Sequence, residues 1–413
     1  MRAGYKQTEI GEIPLDWKVG KLNKYWTVID CKHVTAKFVE SGFPLASIAE
    51  VQSIFINLLE AKKTTSYFYN KLIEGNRKPL SGDLIFSRNA TVGEVAQVAE
   101  WHPTFAMGQD VCLLRKKNPK FSTDYLQQLL KSSTIKNQLD DIMVGSTFKR
   151  VNIEQIRYFV IPLPPLPEQT AIATVLSDTD KLLQAIEKKI AKKRLIKQGA
   201  MQELLRPKEG WDIVSFDKIF TFYSTSNYSK AEMSITDEVG CVHYGLIHAI
   251  SNTQYNLEYG IKYYVTQEQA KYERVRDGDV IMVDASEDLD GINKSVEVCG
   301  VGDKKFIAGL HTYLIRDNNS SLVDNFRGII LNSQFVKHQM LQLAVGMKVF
   351  GVSKRQLVKI KIPLPPKSEQ TTIATILSDM DLEIENLEYQ LAKYKQVKQG
   401  LMQNLLTGKI RLV

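Results

Sequence analysis

The side chains of this sequence best placed to do chemistry are cations beside expected helix starts, and that chemistry is anion binding. Gly145-Ser146-Thr147-Phe148-Lys149-Arg150 runs into Asn152-Ile153-Glu154-Gln155. Asn152 suits an N-cap and Gln155 falls at the capping-box position, so a helix should begin there. Free amides at such a start, with Lys149 and Arg150 beside them, would grip a phosphate or a base edge, Thr147 lying in the same segment. A second stretch is built alike: Gly346-Met347-Lys348 precedes Ser353-Lys354-Arg355-Gln356. Two loops follow Gly-Asp turns, Arg88-Asn89-Ala90-Thr91 in one place and Asp284-Ala285-Ser286 with Asn293-Lys294 in another. Arginine and asparagine there could contact guanine and adenine edges at two points. Capped turns with solvated cations, and loops that only close a hairpin, are the plainer alternatives and stay open.

Patterns for catalysis are missing. An adenine methyltransferase needs an Asn/Asp-Pro-Pro-aromatic segment and a glycine-rich cofactor loop, but the Pro-Pro pairs here sit only in Leu-Pro-Pro. Thr407-Gly408-Lys409 lacks the upstream glycine and following Ser/Thr of a phosphate loop. His243 and His248 are not in HExxH spacing, and His33, His102, His311 and His338 are scattered. Glu287, Asp288 and Asp290 cluster in an expected loop, where a metal site is the minor alternative. Cys31, Cys112, Cys241 and Cys299 lie far apart with no CxxC, against a zinc module or a disulfide scaffold. The expectation is a chain without catalytic residues, metal or cofactor.

The elements that must position the cations come from a chain of 413 residues, 44% apolar and 24% charged, enough for two or three globular domains. No apolar run approaches the ~18–20 residues of a membrane span, and MRAGYKQTEIGEIPLDW has no apolar leader segment. A cytoplasmic protein without membrane contact is expected. The net charge of +8 is uneven: +6 over 1–160, +4 over 161–208, −2 over 209–361 and zero over 362–413. Any anion-binding surface in the second half must therefore be a local patch.

An internal repeat organises the chain. IPLPPLPEQTAIATVLSDTD starts at Ile161 and IPLPPKSEQTTIATILSDMD at Ile362, 201 residues later, with 25 of 45 aligned positions identical through Leu205 and Leu406. Outside these blocks only a skeleton repeats: SGDLIFS with DGDVIMV, MGQDVCLLR with AGLHTYLIR, and DWKVGKL near Trp17 with WDIVSFD from Trp211. The division is a variable domain over 1–160, a connector over 161–208, a variable domain over 209–361 and a connector over 362–413. Two variable units suggest two different recognitions; two near-identical connectors suggest one job done twice.

Each connector opens with a stiff proline-rich stretch. A short helix of about ten residues, a cap or kink at Ser177–Asp180 and Ser378–Asp381, and a helix of about 28 residues are expected to follow. Ile172, Leu176, Leu183, Ile186 and Ile190 keep heptad spacing, after which Lys193 and Lys197 break the stripe. Ile373, Leu377, Met380, Ile384, Leu387, Leu391 and Tyr394 repeat it. Such stripes predict an antiparallel coiled coil, about 42 Å for 28 residues, close to 12 base pairs of duplex DNA. The fold class is thus α+β: two similar mixed α/β domains separated by two long helices, pseudo-two-fold symmetric. A ruler for DNA and a scaffold separating two protein partners both fit such a rod.

These proline-rich blocks with Glu168-Gln169 and Glu369-Gln370, the opening TEIGEIPLDWKVGKL and the ending LLTGKIRL resemble the specificity subunit of type I restriction–modification enzymes. The resemblance spans essentially the whole chain. It implies two target-recognition domains, each reading one half of a split sequence in double-stranded DNA. It implies helical spacers that dock two methyltransferase subunits, with restriction/translocase subunits joining that core. It further implies that S-adenosylmethionine, ATP and Mg2+ serve the partners and not this chain, and it favours the Gly-Ser-Thr-Phe-Lys segment as part of the reading surface. Met347 and Val349 stand where the first copy has Ser146 and Phe148, so identical contacts are not implied. A coiled-coil adaptor without a DNA role, and an enzyme with fused recognition domains, are the alternatives.

Overall fold

The computed structural model describes residues 2–143, 150–286, 288, 291–346 and 350–412. Two compact units emerge, and neither coincides with a domain plus its own connector. One holds residues 1–186 and 390–413, the other residues 187–389, so each unit takes half of each long helix.

In the first unit an antiparallel sheet runs in the order Trp26–Asp30, Val111–Lys116, Leu84–Ser87, Val95–Gln97. Leu84–Ser87 is buried along its whole length, as its unbroken apolar run requires. In the second unit Thr221–Tyr223, Thr312–Arg316, Val280–Val283 and Ser295–Cys299 repeat that order, and Gln254–Asn256 adds a fifth, parallel strand. Both sheets belong to the Gly-Asp skeleton legible in the sequence.

The proline-rich lead-ins are strands. Val160–Leu163 pairs antiparallel with Lys18–Lys21, and Lys361–Leu364 with Asp212–Ser215. Two-stranded pairing leaves one edge free, where a proline without an N–H does no harm.

Each connector then forms one helix of 39 residues, Leu166–Leu204 and Lys367–Leu405, about 58 Å long. The expected kink is not there. Thr179 returns its hydroxyl to the Val175 carbonyl within the helix, and Asp180 is held in an ion pair with Lys398 of the other helix, so neither serves as a cap. The first turns of the expected coiled-coil stripe also do a different job. Ile172 and Leu176 lie in the core of the first unit with Trp17, Trp26, Leu84, Tyr125, Leu405 and Leu406. Ile373 and Leu377 lie in that of the second with Phe216, Val280, Phe326 and Leu205. The start of one helix and the end of the other thus share a core in each unit, which makes the pairing antiparallel. Leu183, Ile186, Ile190, Ile384 and Leu387 continue the stripe as buried residues, and Leu391 is half-buried.

Candidate nucleic-acid interface

The two candidate loops of each unit, distant in sequence, meet at one sheet corner. In the first unit Leu84–Ser87 passes into Arg88, whose amide donates to the Asp110 carbonyl (2.9 Å) and whose carbonyl accepts from the Val151 amide (2.9 Å). Asn89 and Arg150 face each other in a β-bridge. In the second unit the Asp284 amide donates to the His311 carbonyl (3.2 Å), and Ser286 exchanges two 2.8 Å bonds with Phe350. Both capped turns form as expected. Asn152 and Gln155 close a capping box at Ile153–Arg157, and Ser353 and Gln356 close another at Lys354–Leu357.

The candidate cations divide by exposure. Arg150 is exposed, 4.0 Å from Asp110, and Arg355 is exposed as well. Lys354 is exposed yet sits 5.4 Å from the ring centroids of both Phe222 and Tyr313. Asn89 is half-buried and accepts from the Ala90 amide at 2.9 Å. Three candidates are spent inside the fold. Arg88 is 3% exposed and pairs with Asp30 at 2.8 Å. Asn293 is fully buried at φ 48°, its amide donating to the Val283 carbonyl. Lys294 donates to the carbonyls of His248 and Ile250 at the end of helix Tyr244–Ala249, and burial, then the charge of Lys337, lowers its pKa. A loop residue with the right donors can serve its own backbone, which residue type alone does not reveal. Thr147, Lys149, Lys348, Glu287 and Asp290 lie outside the described residues.

Among the described residues, Asp30, Cys31 and His33 are the one group that could offer three ligand atoms to a metal. The chemistry disfavours a cation there. The Arg88 guanidinium already neutralises Asp30, and burial, then the Asp30 charge, raises the Cys31 thiol and keeps it protonated. His243 is buried and caps helix Tyr244–Ala249, accepting from the Gly245 amide, with its pKa lowered by burial first and Lys230 second.

The spacer residues explain the Glu-Gln pair of each connector. Glu168 accepts from Trp17 Nε1 (2.9 Å) and from Arg411, which also grips Asp16. Glu369 accepts from Trp211 Nε1 (2.9 Å) and Lys208 (2.7 Å), and Lys208 first, Trp211 second, hold its carboxyl below the usual range. Gln169 accepts from the Ser122 amide and donates to the Pro164 carbonyl; Gln370 does the same with Val323 and Pro365. Glu168, Gln169 and Gln370 are buried, so they fasten each helix to its own domain and offer nothing to a partner.

Between the helices, Asp180 pairs with Lys398 in the first unit and Lys197 with Asp381 in the second. Lys193–Glu383 and Arg194–Glu388 add more exposed pairs. Lys193 and Lys197 therefore continue the helix contact as ions where they seemed to interrupt it. The signal was present: Asp180 and Asp381, like Lys197 and Lys398, are 201 residues apart.

The model of the type I restriction modification DNA specificity domain matches residues 14–194 and again 209–394. A putative type I restriction enzyme MjaX specificity subunit of Methanocaldococcus jannaschii is 28% identical, over 99% of this chain and 97% of its own. The MjaVIII specificity subunit of the same organism is 25% identical over 99% and 96%. Among solved structures, a chain described in work on the assembly and conformational transition of a type I R-M system superposes with TM-score 0.61 at 17% identity, covering 96% of this chain and 99% of that one. The S subunit of a type I system from M. genitalium does so with TM-score 0.54 at 15% identity, covering 98% and 99%. These two likenesses concern the fold. With its specificity domain matched twice over most of its length, the chain belongs to the type I restriction–modification specificity subunit family.

Proposed function

We propose that the chain is the DNA-reading and assembly subunit of a type I restriction–modification complex. Each domain reads one half of a bipartite target in double-stranded DNA. The paired helices set the gap and dock two methyltransferase subunits, to which restriction/translocase subunits add. The chain itself is non-catalytic, and S-adenosylmethionine, ATP and Mg2+ belong to its partners.

The observation that carries this reading is the double sheet corner. In both units two loops far apart in sequence are bridged beside the same strand, one bearing exposed Arg150 and the other leading to exposed Lys354 and Arg355. Docking is supported by apolar side chains left exposed on the helices, Leu195, Ile196, Leu382 and Tyr389 in one unit and Leu182 and Val397 in the other. A groove lies at matching helix positions in each unit. Ser177, Lys181 and Gln184 line one of about 940 Å3 with Phe55 and Trp101. Ser378, Leu382 and Glu385 line one of about 1000 Å3 with Asn252 and Tyr259. Among the described residues no helix is long and apolar enough to cross a membrane.

The test is a pair of variants. Matched insertions of four residues after Ala191 and Ala392 add ~6 Å, about two base pairs, and should lengthen the methylated gap while leaving both half-sequences alone. Exchange of residues 209–361 for another recognition domain should alter one half-sequence only. An unchanged gap, or two altered halves, would sink the reading.

A further inference from the structure

The two sheet corners share their backbone hydrogen bonds, which supports the residue equivalences that the repeated segments suggest. The Ser87 amide donates to Glu94 and the Val283 amide to Lys294; the Arg88 amide donates to Asp110 and the Asp284 amide to His311. Arg88 thus corresponds to Asp284, and Asp110 to His311. Both Asp110 (φ 64°) and His311 (φ 55°) hold the left-handed conformation that costs a non-glycine residue energy. The same left-handed turn is kept at the same corner with different side chains on it.

What is presented is inverted. In the first unit Arg88 is turned inward, and the corner shows Asp110 beside Arg150, a cation steadied by a carboxylate. In the second the corner shows a carboxylate steadied by a ring: Asp284 Oδ1 lies 3.2 Å from His311 Nδ1, and both side chains remain accessible. Tyr244 stands edge-on to His311 with centroids 5.6 Å apart and braces it. Among the described residues His311 is the side-chain partner of Asp284, which leaves the second carboxylate oxygen, Oδ2, open to a donor.

We propose that Asp284, positioned by His311 and Tyr244, reads an exocyclic amino group, cytosine N4 or adenine N6, in the half-sequence recognised by the second unit. A carboxylate accepts and cannot donate, so it favours an amino edge and repels the O6/N7 acceptor edge of guanine. The inference rests on the DNA-reading function above and adds which base chemistry one half demands.

The test replaces the chain in its host by the variants Asp284→Asn and His311→Asn, with the whole complex present, and maps methylated sites across the genome. Asparagine tolerates the left-handed conformation, so H311N removes the imidazole without forcing the turn. D284N should relax one position of the second half-sequence, erasing a discrimination of roughly 5- to 150-fold, or turn it towards adenine, which an amide can contact at two points. H311N should loosen the same position less. The first half-sequence and the gap should stay as they were. Soluble variants with an unchanged second half would overturn the proposal, as would a change confined to the first half. The exchange of residues 209–361 separates the two failures: if it shifts the second half and D284N does not, only this base assignment falls.

Discussion

Asp180 meets Lys398 in one unit and Asp381 meets Lys197 in the other, four residues related in pairs by one 201-residue step. Arg88 and Asp110 in the first unit have Asp284 and His311 in their places in the second. One region repeats its chemistry side chain by side chain; the other keeps a backbone frame and changes the side chains on it. Identical pairing suits elements with identical tasks, and different side chains on a shared frame suit two sites that must tell different ligands apart.

The largest effect should come from breaking the helices where a kink was expected. Proline in a helix interior removes a hydrogen bond and clashes with the preceding turn, at about 3 kcal/mol or more. Asp178→Pro and Asp379→Pro should each lose at least that in urea unfolding, since both positions lie inside a continuous helix. Tolerance of either substitution would restore the two-helix connector. Next come the ion pairs. Lys197→Met and Lys398→Met each strand a carboxylate that is 16% exposed, and each should cost about 2 kcal/mol, less than a fully buried pair. Burial raises the pKa of Asp381 despite its bond to Lys197, so adding Asp381→Leu to Lys197→Met should recover most of the loss. Asp180 also accepts from Gln128 (3.1 Å), so Asp180→Leu should rescue Lys398→Met less fully. Equal rescue would mean that the Gln128 contact contributes nothing.

The legible parts of this fold were those written twice or written in apolar period. The repeat located both helical connectors, the Gly-Asp segments that form two inner strands of each sheet, and both capping boxes, because each is specified by local pattern. The kink at Ser177–Asp180 was misread because Ser, Thr and Asp cap helices in general, and only the partner Lys398, more than two hundred residues away, shows why Asp180 stays in register. The inward turn of Arg88 and Asn293 was illegible for the same reason, since burial is decided by Asp30 and Val283 across the sheet. The repeated segments already pair Arg88 with Asp284 and Asp110 with His311, but that Arg88 turns inward while Asp284 stays accessible was illegible, because Asp30 and His311 decide it from other segments.

The smallest effect separates two neighbours at one corner. Arg88 and Arg150 lie on the two segments that meet there, and both are cations that DNA could attract. Arg88 is withdrawn with Asp30, so Arg88→Ala leaves that carboxylate with only the longer His33 contact (3.4 Å) and should cost about 1–2 kcal/mol of stability. It should leave the salt dependence of DNA binding unaltered, because a buried guanidinium releases no counterion from the duplex. Arg150 is more than half exposed, and its contact with Asp110 is long at 4.0 Å, so Arg150→Ala should change stability by no more than about 0.5 kcal/mol. If Arg150 neutralises a phosphate, its loss should reduce the slope of log K against log salt by about one unit. If it reads a base edge, binding to the proper sequence should weaken while the slope holds. A titration of binding against salt on matched and mismatched duplexes distinguishes these outcomes. An Arg150→Ala chain that bound both duplexes as before would take this corner off the DNA, whatever the second unit does.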